Sequence, residues 1–161
     1  MTPTITCRLA TLEDLPAVCF LAEDLAAIHH AAWPGVFAPA AAGDRDAPHW
    51  RESIAGPGRA AFVAEAGGAP VGFVTLACGN ESHSLLQPQR WARVNSICVL
   101  ERVRGQGVGR ALMERAEAWA RFEGAEELRL VVWAFNTRAV HLYEELGYAV
   151  RALAMGKALP P

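Results

Sequence analysis

The stretch VNSICVLERVRGQGVGRALMERAEAWARF, residues 94–122, constrains the fold more than any other part of the chain. Val94 to Leu100 is a short apolar run that reads as a buried strand. Glu101 to Gly109 is a turn rich in Arg and Gly. An amphipathic helix follows to about Phe122, because Val108, Leu112, Ala116, Trp119 and Ala120 recur on one face of a 3.6-residue period. Arg110, Glu114, Glu117 and Arg121 take the other face, with Glu117 and Arg121 ordered as a favourable i,i+4 pair. The first turn of a helix offers unpaired N–H groups and the positive end of the dipole, which together attract phosphate. Gly105, Gly107 and Gly109 remove side chains that would hold an anion away and permit positive φ. Arg102, Arg104 and Arg110 add positive charge, and no acidic residue lies between Arg102 and Arg110.

Glycine spacing narrows the phosphate ligand. A P-loop requires Gly-x-x-x-x-Gly-Lys-Ser/Thr, and no Gly-Lys-Ser/Thr occurs in the chain. A dinucleotide fingerprint requires GxGxxG, whereas this turn is GxGxG, with Arg110 in place of the third Gly. It also falls behind an apparent antiparallel hairpin, not at the start of a doubly wound sheet. The pattern that fits is Gln/Arg-x-x-Gly-x-Gly/Ala, as Arg104-Gly105-Gln106-Gly107-Val108-Gly109. It resembles the acyl-CoA signature of the GNAT (Gcn5-related N-acetyltransferase) superfamily.

A chain of 161 residues, 52% apolar and 20% charged, is the size of one ordinary domain with a single core, and 1–161 is expected to be one domain. The net charge of −2 offers no electrostatic case for nucleic acid. Cys7, Cys19, Cys78 and Cys98 have no CxxC spacing and read as buried, reduced thiols of a cytoplasmic protein, with no metal site expected. The N-terminus lacks the basic-then-apolar order of a signal peptide. The longest apolar region, 15–33, is broken by Glu23, Asp24, His29 and His30, so no membrane span is expected.

Taken in order, Ile5 to Leu9 is a first strand. Thr11 caps a helix with Asp14 in a capping-box position and Pro16 near its start. Residues 30–50 are irregular, interrupted by Pro34, Pro39 and Pro48. Their aromatics Trp33, Phe37 and Trp50 either anchor a surface loop or, as in the superfamily, belong to a wall of the acceptor pocket. A helical turn at Trp50 to Ile54 leads to strands at Arg59 to Ala66 and Pro70 to Cys78 around a Gly67-Gly68 turn. Gly72 inside the second of these marks a bulge or a close backbone approach. A strand at Trp91 to Leu100 completes an antiparallel meander. Gly124 ends the central helix, Glu127 to Trp133 is a strand parallel to the one before that helix, and Ala149 to Met155 is a final strand.

The segment between those last two strands carries a second motif. Asn136-Thr137-Arg138-Ala139-Val140-His141-Leu142-Tyr143-Glu144-Glu145-Leu146-Gly147-Tyr148 closely resembles the other GNAT block, N-x-x-A-x-x-x-Y-x-x-x-G-F/Y. Both blocks stand in the family's order and separation. The resemblance implies an α/β GNAT fold: a mixed central sheet of about six to seven strands with an antiparallel N-terminal meander and splayed parallel strands four and five, flanked by about four helices. It further implies acetyl-CoA as co-substrate, with the pantetheine arm in the splay. The backbone at Cys98 and Val99 would bond that arm as an added strand. The N–H groups of Arg104, Gly105, Gln106, Gly107, Val108, Gly109 and Arg110 would hold the pyrophosphate. Asn136 would contact the arm, cap its helix, or do both. Tyr143, which read alone is a core aromatic, would be the general acid to the departing thiolate.

The implied reaction is direct attack of a primary amine, on a small molecule or a peptide, at the acetyl carbonyl. Cys98 has no evident His or Asp relay and reads as a strand residue, not a nucleophile. Family members often place a carboxylate on strand four to deprotonate the amine, but Asn95 stands at that position here. Glu81 and His83, in the preceding loop, are the substitute candidates. Each also reads as a plain solvated loop residue. Asp44, Asp46 and Glu81 would suit a cationic acceptor. A non-catalytic acyl-CoA-binding sensor or partner subunit of the same fold is the alternative, and a homodimer is an expectation by analogy.

Overall fold

The computed structural model describes residues 4–41 and 44–161. It divides into two compact units, one reaching to Val131 and the other Val132–Pro161. The first holds a five-stranded sheet in the order β1-β2-β3-β4-β5, formed by Ile5–Leu9, Arg59–Ala66, Ala69–Asn80, Arg90–Val99 and Glu127–Leu130. Its helices are α1 (Leu15–Ala32), α2 (Ala47–Ala55) and α3 (Val108–Phe122). The second unit holds α4 (Thr137–Glu145).

Local signals account for the joints. On the short helical turn Leu12–Asp14 that leads into α1 a complete capping box joins Thr11 and Asp14, and the Arg8 guanidinium donates to both Asp14 carboxylate oxygens at 2.8 Å and to Glu65 at 2.8 Å. One cation thus ties β1, β2 and the helix entry together. Helix α2 is longer than the expected turn, because Pro48 sits in its first turn, where a missing N–H costs nothing. Gly67 and Gly68 both have positive φ, as a two-residue hairpin with the twist of its strands requires.

Alternation sorts the sheet into two faces. Phe73 packs its ring edge-on against Trp50 of α2 at 5.3 Å, in a cluster with Val18, Leu21, Ile54 and Val63. Gly72 faces the other way, towards α3. A Cβ on it would lie 2.7 Å from the Cys98 carbonyl and 3.4 Å from Leu112, so strand and helix approach there only because the residue is Gly. On the α3 stripe Val108, Leu112, Met113, Ala116 and Ala120 are buried as the periodicity requires, whereas Trp119 is half-buried.

Two register shifts matter. Between β2 and β3, Ala64 pairs with Gly72 and Glu65 with Pro70, so Gly72 marks both a bulge and a close approach. Between β3 and β4, Thr75 pairs with Ser96 and Leu76 with Val94, leaving Asn95 as the extra residue of a bulge.

The parallel pairing of β4 with β5 runs only from Trp91↔Glu127 to Val94↔Leu130. Beyond it β4 keeps only its β3 partner through Ser96–Val99 among the described residues, and its other edge stands open; that opening forms a gap. The strand count is corrected to five among the described residues. The strand expected to reach Trp133 ends at Leu130, and residues 149–155 form no ladder, with Val150, Leu153 and Met155 at 73%, 81% and 93% exposure. AVRALAM has one polar residue and three alanines, so it neither selects a buried face by alternation nor has strong β preference.

Candidate functional site

Beyond Leu100 the chain makes a tight turn at Glu101–Val103, then passes Arg104 to Gly107 into α3. Gly105 and Gly107 have φ of 77° and 85°. Gly107 is the N-cap of α3, and a Cβ there would meet nothing within 4 Å. The glycine is therefore demanded by backbone conformation, not by space. The first i→i−4 bond of α3 is Ala111 N–H to the Gly107 carbonyl at 2.9 Å. The N–H groups of Val108, Gly109 and Arg110 thus have no acceptor within the helix. No acidic residue occupies this first turn. Arg102, Gln106 and Arg110 are exposed around it, while the Val108 side chain is buried beneath. Arg104 turns back, its Nε donating to the Val99 carbonyl at 2.8 Å.

The turn is continuous with the unpaired edge of β4. Leu100 donates its N–H to Val71 of β3 at 2.9 Å. In an antiparallel ladder the inward-bonding residues alternate, so Leu100 and Cys98 turn their backbone groups to β3, and Val99 and Ile97 turn theirs to the gap. Of the two expected backbone partners, Val99 faces the gap and Cys98 faces the sheet. The Cys98 side chain is buried, its Sγ donating to the Leu21 carbonyl at 3.2 Å, and burial pushes the thiol up to about 12. It is held as a thiol at neutral pH.

At the closed end of the gap, Arg129 is a hub. Its guanidinium donates to Glu81 at 3.0 Å, Gln89 at 3.0 Å and Glu127 at 3.1 Å, and lies 5.7 Å from the Trp91 ring centre. Glu81 also accepts from the N–H groups of Ser82 and His83, both at 3.1 Å. Arg129 first, and then the His83 N–H, holds the Glu81 carboxyl below its usual range. His83 is exposed, and its Nδ1 accepts from the Leu85 N–H at 3.1 Å. In the sequence Arg129 is one residue of the strand expected at Glu127 to Trp133, with no partner evident. The signal was the alternation Glu127, Arg129 along β5 and Trp91, Arg93 along β4.

In the second unit, Asn136 caps α4, its Oδ1 accepting from the Ala139 N–H at 3.2 Å. Gly147, with φ of 92°, closes the helix, with Tyr148 N–H on the Tyr143 carbonyl at 2.9 Å. Tyr143 is 7% exposed and meets the Tyr148 ring edge-on at 5.9 Å. Burial raises its phenol to about 12. His141 is exposed, 3.6 Å from Glu144.

Other candidates have structural duties. His29 and His30 bond the Leu25 and Phe37 carbonyls at 2.7 and 2.8 Å. Trp50 belongs to the core. The Asp44 side chain and residues 42–43 lie outside the described residues. Among the described residues, no group of three or more His, Cys, Asp or Glu could hold a metal, and no helix is long and apolar enough to cross a membrane.

A family model described as the Acetyltransferase (GNAT) family matches residues 22–148. An uncharacterized N-acetyltransferase, YdgE of Bacillus subtilis, is 39% identical over 74 residues, covering 46% of this chain and 47% of that protein. The mycothiol acetyltransferase of Jonesia denitrificans is 40% identical over 79 residues, covering 49% of this chain and 23% of that protein. The chain thus spans less than half the length of these curated relatives. Among solved structures, a mutant of the BH1408 protein from Bacillus halodurans superposes with a TM-score of 0.89 at 20% identity, covering 96% of this chain and 99% of that one. An aminoglycoside N-acetyltransferase in complex with CoA gives 0.74 at 20% identity, covering 99% and 97%. At such identity these two establish the fold alone.

Proposed function

Because the chain belongs to the acetyltransferase (GNAT) family, we propose that it transfers an acetyl group from acetyl-CoA to a primary amine of a small molecule or peptide, by direct attack. The observation that carries this reading is the continuity of two features. The last β4–β5 pair is Val94↔Leu130, and the unpaired β4 edge beyond it leads, through the turn at 101–107, into the acid-free first turn of α3. The names of the relatives and of the CoA-bound neighbour are consistent with an amine acceptor.

Acetyl-CoA, when bound, supplies an activated thioester. The residues present fit it. Val99 and Ile97 offer outward N–H groups to the amides of the pantetheine arm. The N–H groups from Gly105 to Arg110 receive the pyrophosphate, the Arg104 N–H being taken by the Glu101 carbonyl at 3.1 Å. Arg104 holds the turn to the end of β4. Asn136 fixes the start of α4, which carries Tyr143. Tyr143, protonated throughout the neutral range, donates to the departing thiolate. Its value of about 12 lies above a thiol of about 8.5, so the phenol stabilises the thiolate as a hydrogen-bond donor, with full proton transfer uphill by about 5 kcal/mol.

Asn95 cannot take the proton of the incoming amine. Glu81, already engaged by Arg129, is a weak base, and His83 has its Nε2 remaining. An amine with a pKa near 8 reaches the site deprotonated from solvent in sufficient fraction. On this reading kcat/KM rises with pH through the acceptor's own pKa. The lack of a carboxylate at Asn95 is also what favours the alternative, an acyl-CoA-binding sensor or partner subunit without turnover.

Thermal shift with acetyl-CoA, CoA and NAD in parallel tests the reading, followed by an amine panel monitored by free-thiol release. A ligand at about 100 times its Kd stabilises by roughly 2.7 kcal/mol, on the order of 5–10 °C for a domain of this size. Shifts with both CoA species and none with NAD support it. Absence of a shift with acetyl-CoA at saturation overturns it, and binding without thiol release from any amine selects the sensor.

A further inference from the structure

The sheet face that carries Phe73 bears a row of guanidiniums at the closed end of the gap. Arg59 pairs with Ala77, Ala77 with Arg93, and Arg93 with Arg129, so the side chains of these residues, on β2 to β5, share one face. Two of the three cations have carboxylate partners. Arg59 lies 3.5 Å from Glu52 of α2, and Arg129 holds Glu81 and Glu127. Arg93 is exposed, and among the described residues it has no carboxylate within ion-pair range.

What Arg93 does have is a platform. Its guanidinium carbon sits 5.0 Å from the centre of the Trp91 ring, which Arg129 approaches at 5.7 Å. The ring itself lies across Gly79, where a Cβ would come within 2.7 Å of it. A guanidinium held over an aromatic face keeps its edge N–H groups directed outwards, arranged to receive a planar anion in two parallel bonds. The next row on this face, beyond the Asn95 bulge, pairs Thr75 with Ser96. Thr75 is 1% exposed and its Oγ1 has no hydrogen-bond partner among the described residues. It is a buried polar group next to the cation row.

The position relative to the gap gives the arrangement its meaning. Arg93 and Arg129 form the last pair but one before β4 and β5 part at Asn95. Two residues of strand are about 7 Å. An acceptor whose amine reaches into the closed end of the gap therefore passes Arg93 within a few bonds of that amine.

We infer that the acceptor amine is an anionic molecule, carrying a carboxylate or comparable oxyanion a few bonds from the amine, and that Arg93, backed by the Trp91 ring, is the residue that selects it. This rests on the gap being the acyl-CoA site. It replaces the cationic acceptor suggested by Glu81, whose carboxylate is engaged by Arg129 and by the N–H groups of Ser82 and His83.

The test keeps the two readings separate. Acetyl-CoA binding by thermal shift is measured first on the unaltered chain and on Arg93→Ala and Arg93→Lys. Thiol release from acetyl-CoA is then followed with ε-aminohexanoate, its carboxamide and hexane diamine, and with the shorter glycine homologues of the same set. The expected result is a preference for the carboxylate over its carboxamide of about ten- to a hundredfold in kcat/KM. In Arg93→Ala the ratio falls towards one, chiefly through KM, and Arg93→Lys restores part of it. A ratio near one in the unaltered chain, preference for the diamine, an unchanged ratio in Arg93→Ala, or no turnover of any member by protein that binds acetyl-CoA overturns the inference. Failure to bind acetyl-CoA instead removes the reading of the gap.

Discussion

Arg104 donates its Nε–H to the Val99 carbonyl at 2.8 Å, so the side chain that opens the glycine-rich turn is fastened to the last residue of β4. The residue that sequence alone presents as a phosphate-binding cation is first a clamp. It sets where the N–H groups of the turn stand relative to the outward-facing Val99. Arg104→Ala is expected to weaken acetyl-CoA binding by about tenfold, in line with one charge-assisted hydrogen bond. Isothermal titration checks this. A lysine cannot reproduce the Nε geometry, so Arg104→Lys should behave like the alanine variant, and full recovery with lysine would show that charge alone is at work.

Gly107 separates conformation from space. Its φ is 85° and its Cβ direction is open. Gly107→Ala should destabilise the fold by about 1–2 kcal/mol, the cost of a left-handed L-residue. This is a Tm fall on the order of 2–8 °C. Differential scanning calorimetry would read it, and an unaltered Tm would contradict the assigned backbone.

Tyr143 is assigned to the thiolate. Tyr143→Phe keeps the ring that meets Tyr148 and deletes only the hydroxyl. The expected loss is about 10²–10³ in kcat, that of one transition-state hydrogen-bond donor, with a much smaller change in KM for acetyl-CoA. Stopped-assay thiol release measures it. A kcat within about threefold of the parent would remove the tyrosine from the reaction.

The Arg8–Asp14 pair makes stability depend on pH. The guanidinium holds the Asp14 carboxyl below its ordinary value, helped by the Thr11 N–H. A carboxyl lowered in the folded state contributes stability that is fully present above its unfolded pKa of about 3.9 and is lost as pH falls through the lower folded value. Arg8 is 44% exposed on its side chain, so solvent screening reduces the pair's contribution to about 1 kcal/mol. The Tm difference between the parent and Asp14→Asn should be present at pH 7 and shrink below about pH 4. A difference unchanged across that range would locate the effect in the capping box and not in the charge.

Much of the molecule was legible in the chain because it rests on short-range physics. Thr11 with Asp14, Gly67-Gly68, Gly107 and Asn136 each sit where local backbone geometry permits few other residues, and each takes the expected local part. The strand–turn–helix at 94–122 and the periodic stripe of α3 follow from the same local rules. Tertiary structure decided what depends on partners distant in sequence. That β5 stops at Leu130 and residues 149–155 join no ladder was not readable, because a strand exists only through the edge it pairs with. Asn95 is a bulge only by its register against Thr75 and Leu76. Glu81 reads as a free carboxylate until Arg129, 48 residues later, is seen to hold it. Arg93 looks like one more strand cation until the ladder aligns it with Arg59 and Arg129 and leaves it, of the three, the one with no carboxylate partner among the described residues. Local sequence sets conformation within a few residues. The pairing of charges across strands is set by register, which the whole sheet determines.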